Sequence, residues 1–378
     1  MDTTNHSMKH IQLTPRRSLV APRRAFTLVE LLVVITIIGI LASLITVAAV
    51  GALKKARQTQ IKVELDQISG GFDEYKNKTT AYPPNCQTDG TGSTATAPID
   101  ETAVLNDIKR HLKQAFPRHQ EPDEVIFKLA GLATTGAPLP SGQGLQGGMT
   151  AGEAVVFWLG GFSQDPKYPI SGEGGPSYSI ASKGNATNGN DDPIESRKWV
   201  YPFDVSRLVP RNTDGYFDVA DGRFIEYTDA KGAFRRINFW QYTPSKSEQP
   251  YLYFDTSRHP AYDATATQPS RFDPPAATAN GGVHVHAFKK LNPSWTTTSP
   301  ASVAPITFIN PDKFQVMHCG IDGVWDSEEL FEKMTAHKVP TPDKPDNYLL
   351  FPTGPFIGDI ADTVVNFATG TKIEDAQK

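Results

Sequence analysis

Between Leu31 and Leu53 the chain has no charged residue, and before residue 79 it has two prolines, Pro15 and Pro22, out of 30 in all. An uncharged run of 23 residues excludes an ordinary solvated helix. At ~1.5 Å per residue it would extend about 35 Å, enough to cross a hydrocarbon core of ~30 Å. Cysteine is almost absent. Cys86 and Cys319 are too few for a disulfide framework and lack metal-site spacing. No Ser/His/Asp motif, glycine-rich phosphate loop or paired-carboxylate signature stands out, so no enzyme is indicated. The chain carries a net −4, of which the first 25 residues contribute +4, leaving −8 on the rest. No basic patch interleaved with aromatics follows, and nucleic acid is not an expected partner.

What is present begins with four arginines, Arg16, Arg17, Arg23 and Arg24, ahead of Ala25-Phe26-Thr27-Leu28-Val29-Glu30 and the apolar run. That run is too long for a simple secretory signal, and helical amphipathicity follows it directly. A plain signal anchor fits the length but gives Glu30 no role. A carboxylate at the end of a membrane helix costs a few kcal/mol unless solvated, protonated or paired. Basic residues flank both sides of the span, so charge alone orients it weakly.

After Leu53, Ile61, Leu65, Ile68, Phe72 and Tyr75 recur at helical spacing, and Lys62, Glu64, Asp66, Asp73, Glu74 and Lys76 fill the other positions. Gly70-Gly71 weakens this helix or permits close packing, and Tyr82-Pro83-Pro84 ends it. Residues 86–100 read as an exposed loop. Thr102–Phe116 predicts a second helix, and Met149–Phe162 a buried one too short for a second span. Strand-like pieces include Gly215–Val219, Arg223–Tyr227, Tyr251–Phe254, Val283–Phe288, Ile306–Ile309 and Phe314–His318. The 28 prolines after residue 78 favour short strands and ordered loops.

Residues 25–35, AFTLVELLVVI, resemble the processing and methylation site of type IV pilins and type II secretion pseudopilins. That resemblance implies cleavage after Ala25, where the family usually has glycine, by a prepilin peptidase that also methylates the new amine on Phe26. It implies that Glu30, fifth from the cut, serves assembly by pairing with that amine on a neighbouring subunit. Further on, residues 314–323, FQVMHCGIDG, and residues 358–367, GDIADTVVNF, are similar to the closing motifs of major pseudopilins. There the intervening loop binds calcium, which makes Asp322, Asp359 and Asp362 ligand candidates. Export would also permit a Cys86–Cys319 disulfide.

The expected fold is α+β. A long N-terminal transmembrane and amphipathic helix packs on an antiparallel β-sheet head, enlarged by a loop-rich insertion between residues 90 and 310. The expected organisation is a basic leader over 1–25, a helix over 26–78 (membrane half 26–53, amphipathic half 54–78) and a head over 79–378. The implied function is a structural subunit of a pseudopilus or pilus-like filament, without catalysis. Its inner-membrane span would carry a periplasmic head, and the size of that head favours a minor or specialised subunit. Partners would be the peptidase, other pilin or pseudopilin subunits and an inner-membrane assembly platform. The alternative is a surface-displayed module whose Trp199, Tyr201, Trp240 and Tyr242 stack on glycans, although such aromatics are more often core. A third option is an anchored hydrolase. His284 and His286, alternating on a strand, and the acidic group Asp214, Asp218 and Asp221 read as ordinary polar contacts and turns, with metal as the sharper option. Asn188, Asn190, Asp191 and Asp192 read as a polar loop.

Overall fold

The computed structural model describes residues 26–84, 101–184, 192–257, 285–294, 306–325 and 350–377, apart from positions 138, 140–143, 146, 147, 193, 215, 219, 286, 293 and 355. The chain divides into two compact units, Met1–Leu53 and Lys54–Lys378. One helix, α1 (Leu28–Thr79, 52 residues), contributes to both. In the first unit all described side chains are exposed, and an 18-residue window reaches a mean hydropathy of 2.8. Such a surface calls for lipid or other helices as cover.

In the second unit α1 turns amphipathic. Ile61, Leu65, Ile68, Phe72 and Tyr75 are buried, at the spacing the sequence predicts. The Phe72 ring stacks on Tyr253 with centroids 4.0 Å apart and meets Phe314 at 5.4 Å. Gly71 lets this face approach closely, since a Cβ there would lie 3.3 Å from a Leu159 methyl. The helix stops at Thr80, whose φ is +68°, just before Tyr82-Pro83-Pro84. The Tyr253 hydroxyl donates to the Pro83 carbonyl at 2.7 Å and fixes the exit.

Three shorter helices follow: α2 (Glu101–Ala115), α3 (Asp123–Leu129) and α4 (Ala151–Leu159). All nine residues of α4 are buried, and a reciprocal capping box between Thr150 and Glu153 starts it. The strands are β1 (Tyr178–Ser179), β2 (Leu208–Val209), β3 (Arg223–Thr228), β4 (Phe234–Phe239), β5 (Gln241–Tyr242), β6 (Leu252–Phe254), β7 (Lys289–Leu291), β8 (Ile306–Phe308), β9 (Gln315–His318) and β10 (Val364–Val365). Among the described residues they form two three-stranded sheets, β1-β4-β3 and β10-β9-β6, and two pairs, β2-β5 and β7-β8, all antiparallel. The fold is α+β. Its strand content is split among small sheets, because proline interrupts the ladders before they lengthen.

The outer edge of β3 is covered by α3. Lys128 Nζ donates to the Glu226 carbonyl, and the Thr228 N–H donates to Glu124 Oε2 at 3.0 Å. Lys128 and Glu124 also pair with each other at 2.8 Å. Two unpaired backbone groups are thereby satisfied and closed to another strand.

Several expectations need correction. Of the expected strand over 215–219, the described residues 216–218 form none: Phe217 makes a lone bridge to Arg211, and Asp218 accepts from the Ala220 N–H. Val285, Ala287 and Phe288 lie outside any strand, and pairing begins at Lys289. Helix α3 and strand β4 carry no strong sequence signal of their own. Glu64, grouped above with the polar face of α1, points instead into the second unit. Asp192 is not a solvated loop acid: its carboxylate is almost completely enclosed and accepts from Asn238 Nδ2 and Trp240 Nε1, both at 2.9 Å.

Candidate functional site

Thr27 and Glu30 close a capping box at the start of α1. The Glu30 Oε2 atom accepts from the Thr27 N–H and the Thr27 hydroxyl, each at 2.9 Å, and the Glu30 N–H donates to Thr27 Oγ1 at 3.2 Å. One carboxylate oxygen thus takes both bonds from Thr27, and among the described residues none is made to Oε1. Phe26 stands exposed just before the helix, and Ala25 lies outside the described residues. The Thr-x-x-Glu spacing is a helix-start signal, and it was open to recognition in the sequence.

Farther along α1, Glu64 gathers four donors. Arg207 grips it through both terminal nitrogens, 2.6 Å and 2.5 Å from Oε1 and Oε2. The Tyr242 hydroxyl donates to Oε1 at 2.9 Å and that of Tyr251 to Oε2 at 2.7 Å. The guanidinium lies 4.4 Å from the centre of the Tyr242 ring. Burial and then the Glu64 charge raise the phenols of Tyr242 and Tyr251, which therefore stay neutral donors. Glu64 falls between Ile61 and Ile68 on the buried stripe, and that spacing marks a carboxylate facing inward. Within the second unit this group ties the later half of α1 to the segments that carry Arg207, Tyr242 and Tyr251.

The closing motifs do come together. Asp362 Oδ2 accepts from the Ile321 N–H at 2.7 Å, Oδ1 accepts from Gln58 Nε2 at 2.5 Å, and the Asp322 N–H also bonds the carboxylate. Asp322 Oδ1 accepts from the Val324 N–H at 3.1 Å and shapes its own turn. Burial raises the Asp362 carboxyl, and the Ile321 N–H counteracts this. The side chain of Asp359 lies outside the described residues. The groups converging on Asp362 are N–H donors, whereas calcium requires converging oxygens. Among the described residues no three His, Cys, Asp or Glu side chains gather as a metal site. Residues 326–349, the loop between the two motifs, lie outside the described residues. Cys319 is a buried free thiol, and Cys86 lies outside the described residues.

The aromatics considered for glycan stacking are spent on packing. Tyr201, Trp240 and Tyr242 are buried, and half-buried Trp199 meets Phe203 at 5.4 Å. Asp218 Oδ1 accepts from the Ala220 N–H at 2.8 Å, and Asn212 Oδ1 accepts from the Asp214 N–H at 3.1 Å, both turn contacts. His284, His286, Asn188, Asn190 and Asp191 lie outside the described residues. A polar cleft of about 750 Å³ opens beside Tyr168, Lys198 and Arg235. Of its acids Asp165, Glu173 and Asp229, Asp229 pairs with Arg235 at 2.9 Å, and its ring, Tyr168, is approached by Lys231 at 5.1 Å.

Comparison with known proteins bears on the N-terminal segment. Residues 21–46 match the family described as the prokaryotic N-terminal methylation motif. The chain is similar to the type II secretion system core protein G of Klebsiella pneumoniae, 36% identical over 84 residues, covering 22% of this chain and 59% of that protein. The chain thus spans under two thirds of the length of the curated relative it matches. No solved structure matches. The N-terminal segment, with Thr27 and Glu30 at the head of an apolar helix, is therefore a prepilin-type methylation segment, and the chain is a partial relative of a pseudopilin.

Proposed function

We propose that this protein is a prepilin-like structural subunit of a type II secretion pseudopilus or a related pilus-like filament. The observation that carries the reading is the methylation motif over residues 21–46, with an exposed apolar helix behind it and Glu30 at its start. Prepilin peptidase cuts after Ala25 and methylates the amine of Phe26. The helix holds the subunit in the inner membrane, with the head on the periplasmic side. An assembly platform then draws it into a stack of other subunits.

Glu30 has a specific part in this. Thr27 occupies Oε2, and Oε1 is left to accept the Phe26 amine of an adjacent subunit. In lipid a carboxylate and an ammonium each offset the other's desolvation, which makes the pair a register mark for stacked helices. The chain outside residues 26–79 is much larger than a compact head needs, which favours a minor or specialised position. The test is mass spectrometry of the native polypeptide, with cysteine crosslinking between neighbouring helices. The expected N-terminus is a methylated Phe26, and Glu30→Ala is expected to insert but not crosslink into filaments. An intact N-terminus, or normal incorporation of Glu30→Ala, overturns the reading.

A further inference from the structure

Three side chains of α1 point at the last part of the chain. Lys55 Nζ donates to Thr371 Oγ1 at 2.8 Å, Gln58 Nε2 to Asp362 Oδ1, and Lys62 Nζ to the Val365 carbonyl at 2.8 Å. Positions 55, 58 and 62 share one face of a helix. The helix supplies only donors in these contacts, and the closing segment supplies only acceptors. Asp362 carries the arrangement further, because its other oxygen holds the Ile321 N–H in the turn after β9. Gly320 makes room for this: its φ is +105°, and a Cβ would lie 2.4 Å from Asp362 Oδ2. Behind the latch, Val364 and Val365 pair with His318 and Met317, and Cys319 is completely buried.

We infer that residues 357–377 dock as a metal-independent latch on α1, read by Lys55, Gln58 and Lys62 and centred on Asp362. The donors that satisfy its carboxylate are the protein's own N–H groups, so closure requires α1 and no divalent cation. Opening the latch strips β10 from β9 and uncovers Cys319. This inference stands apart from the filament reading and survives its failure.

The test uses the full chain in detergent micelles with Cys86→Ser, so that Cys319 is the single thiol, and follows maleimide labelling. Labelling of this parent protein is expected to be slow and unchanged by EGTA or by added calcium. Gln58→Ala/Lys62→Ala is expected to label about tenfold faster, as local opening becomes more frequent. Lys78→Ala, which removes an exposed pair with Glu74 on the same helix, serves as control and should label at the parent rate. Gln58→Ala alone removes one donor without charge change and should give an intermediate rate. Three results overturn the inference: EGTA accelerating the parent and calcium reversing it, parent-like labelling of the double variant, or equal acceleration by Lys78→Ala.

Discussion

At the scale of single residues, a carboxylate on the buried side of α1 gathers the polar contacts of the second unit around it. Glu64 takes two bonds from Arg207 and two from tyrosines, and each partner is taken from water only because the others are present. Removing one member of such a group leaves the rest uncompensated, at a cost of about 3–5 kcal/mol. Glu64→Ala should therefore lower unfolding free energy by that amount in a denaturant titration. Glu74→Ala, at an exposed pair, should stay within ~0.5 kcal/mol of the parent. Equal losses would show that the Glu64 group fixes nothing.

His318 gives a pH prediction. Burial pushes its imidazole down to about 4, the Gln249 carbonyl and the Glu64 charge acting against this. Its Nδ1 accepts from the Gly320 N–H at 3.0 Å, and its Nε2 lies 3.1 Å from the Gln249 carbonyl and 3.2 Å from Ser247 Oγ, the pattern of a neutral ring. Tyr251, Trp325 and the Cys319 thiol complete its surroundings. An unfolded chain takes up a proton near pH 6.5 that the folded one refuses until about pH 4. The histidine's contribution is thus complete above pH 6.5 and is lost as pH falls towards 4, by ~3 kcal/mol. Subtracting the stability profile of His318→Gln from that of the parent should reveal this slope; a flat difference would mean the ring titrates normally.

At the scale of elements, adjacent glycines in α1 carry opposite expectations. Gly70 has open space around its would-be Cβ, so Gly70→Ala should stabilise the helix by about 0.5–1 kcal/mol. Gly71 meets Leu159 and Tyr201, so the same change there should lose that gain or reverse it. Thermal melts of both variants decide the matter, and equal shifts would contradict the close contact with α4. Thr150→Ala should cost ~1 kcal/mol, because it opens the cap of a helix that is buried on every side. The amphipathic half of α1 and buried α4 were both legible, because their apolar spacing is dictated locally. Helix α3 was not, since its seven residues are stabilised by contact with β3 rather than by their own pattern.

At the scale of the whole molecule, the methylation segment and the head rest on different kinds of information. A basic stretch, a small residue, Phe26, Glu30 and an uncharged run are contiguous, so the proposed processing and assembly sites could be read directly. Replacing Ala25 with a bulky residue such as Phe should block cleavage, and immunoblotting should then show the longer form accumulate. Normal maturation of that variant would contradict cutting at this bond. The sheets were legible only in part: β3, β6, β8 and β9 follow runs of strand-forming residues, whereas β7 begins after the run that suggested it.

By itself the sequence determined that the N-terminal segment is a membrane-compatible helix and that residues 61–75 present one apolar face. Those properties depend on neighbours three or four positions away, and the chain order contains them. Tertiary structure alone decided that Glu64 faces Arg207, that the candidate aromatics are core, and that Asp362 accepts N–H bonds from Gln58 and Ile321. Gln58 and Asp362 are separated by 304 positions. Which donor a buried carboxylate finds across such a distance depends on how the intervening chain packs, and no local pattern encodes that.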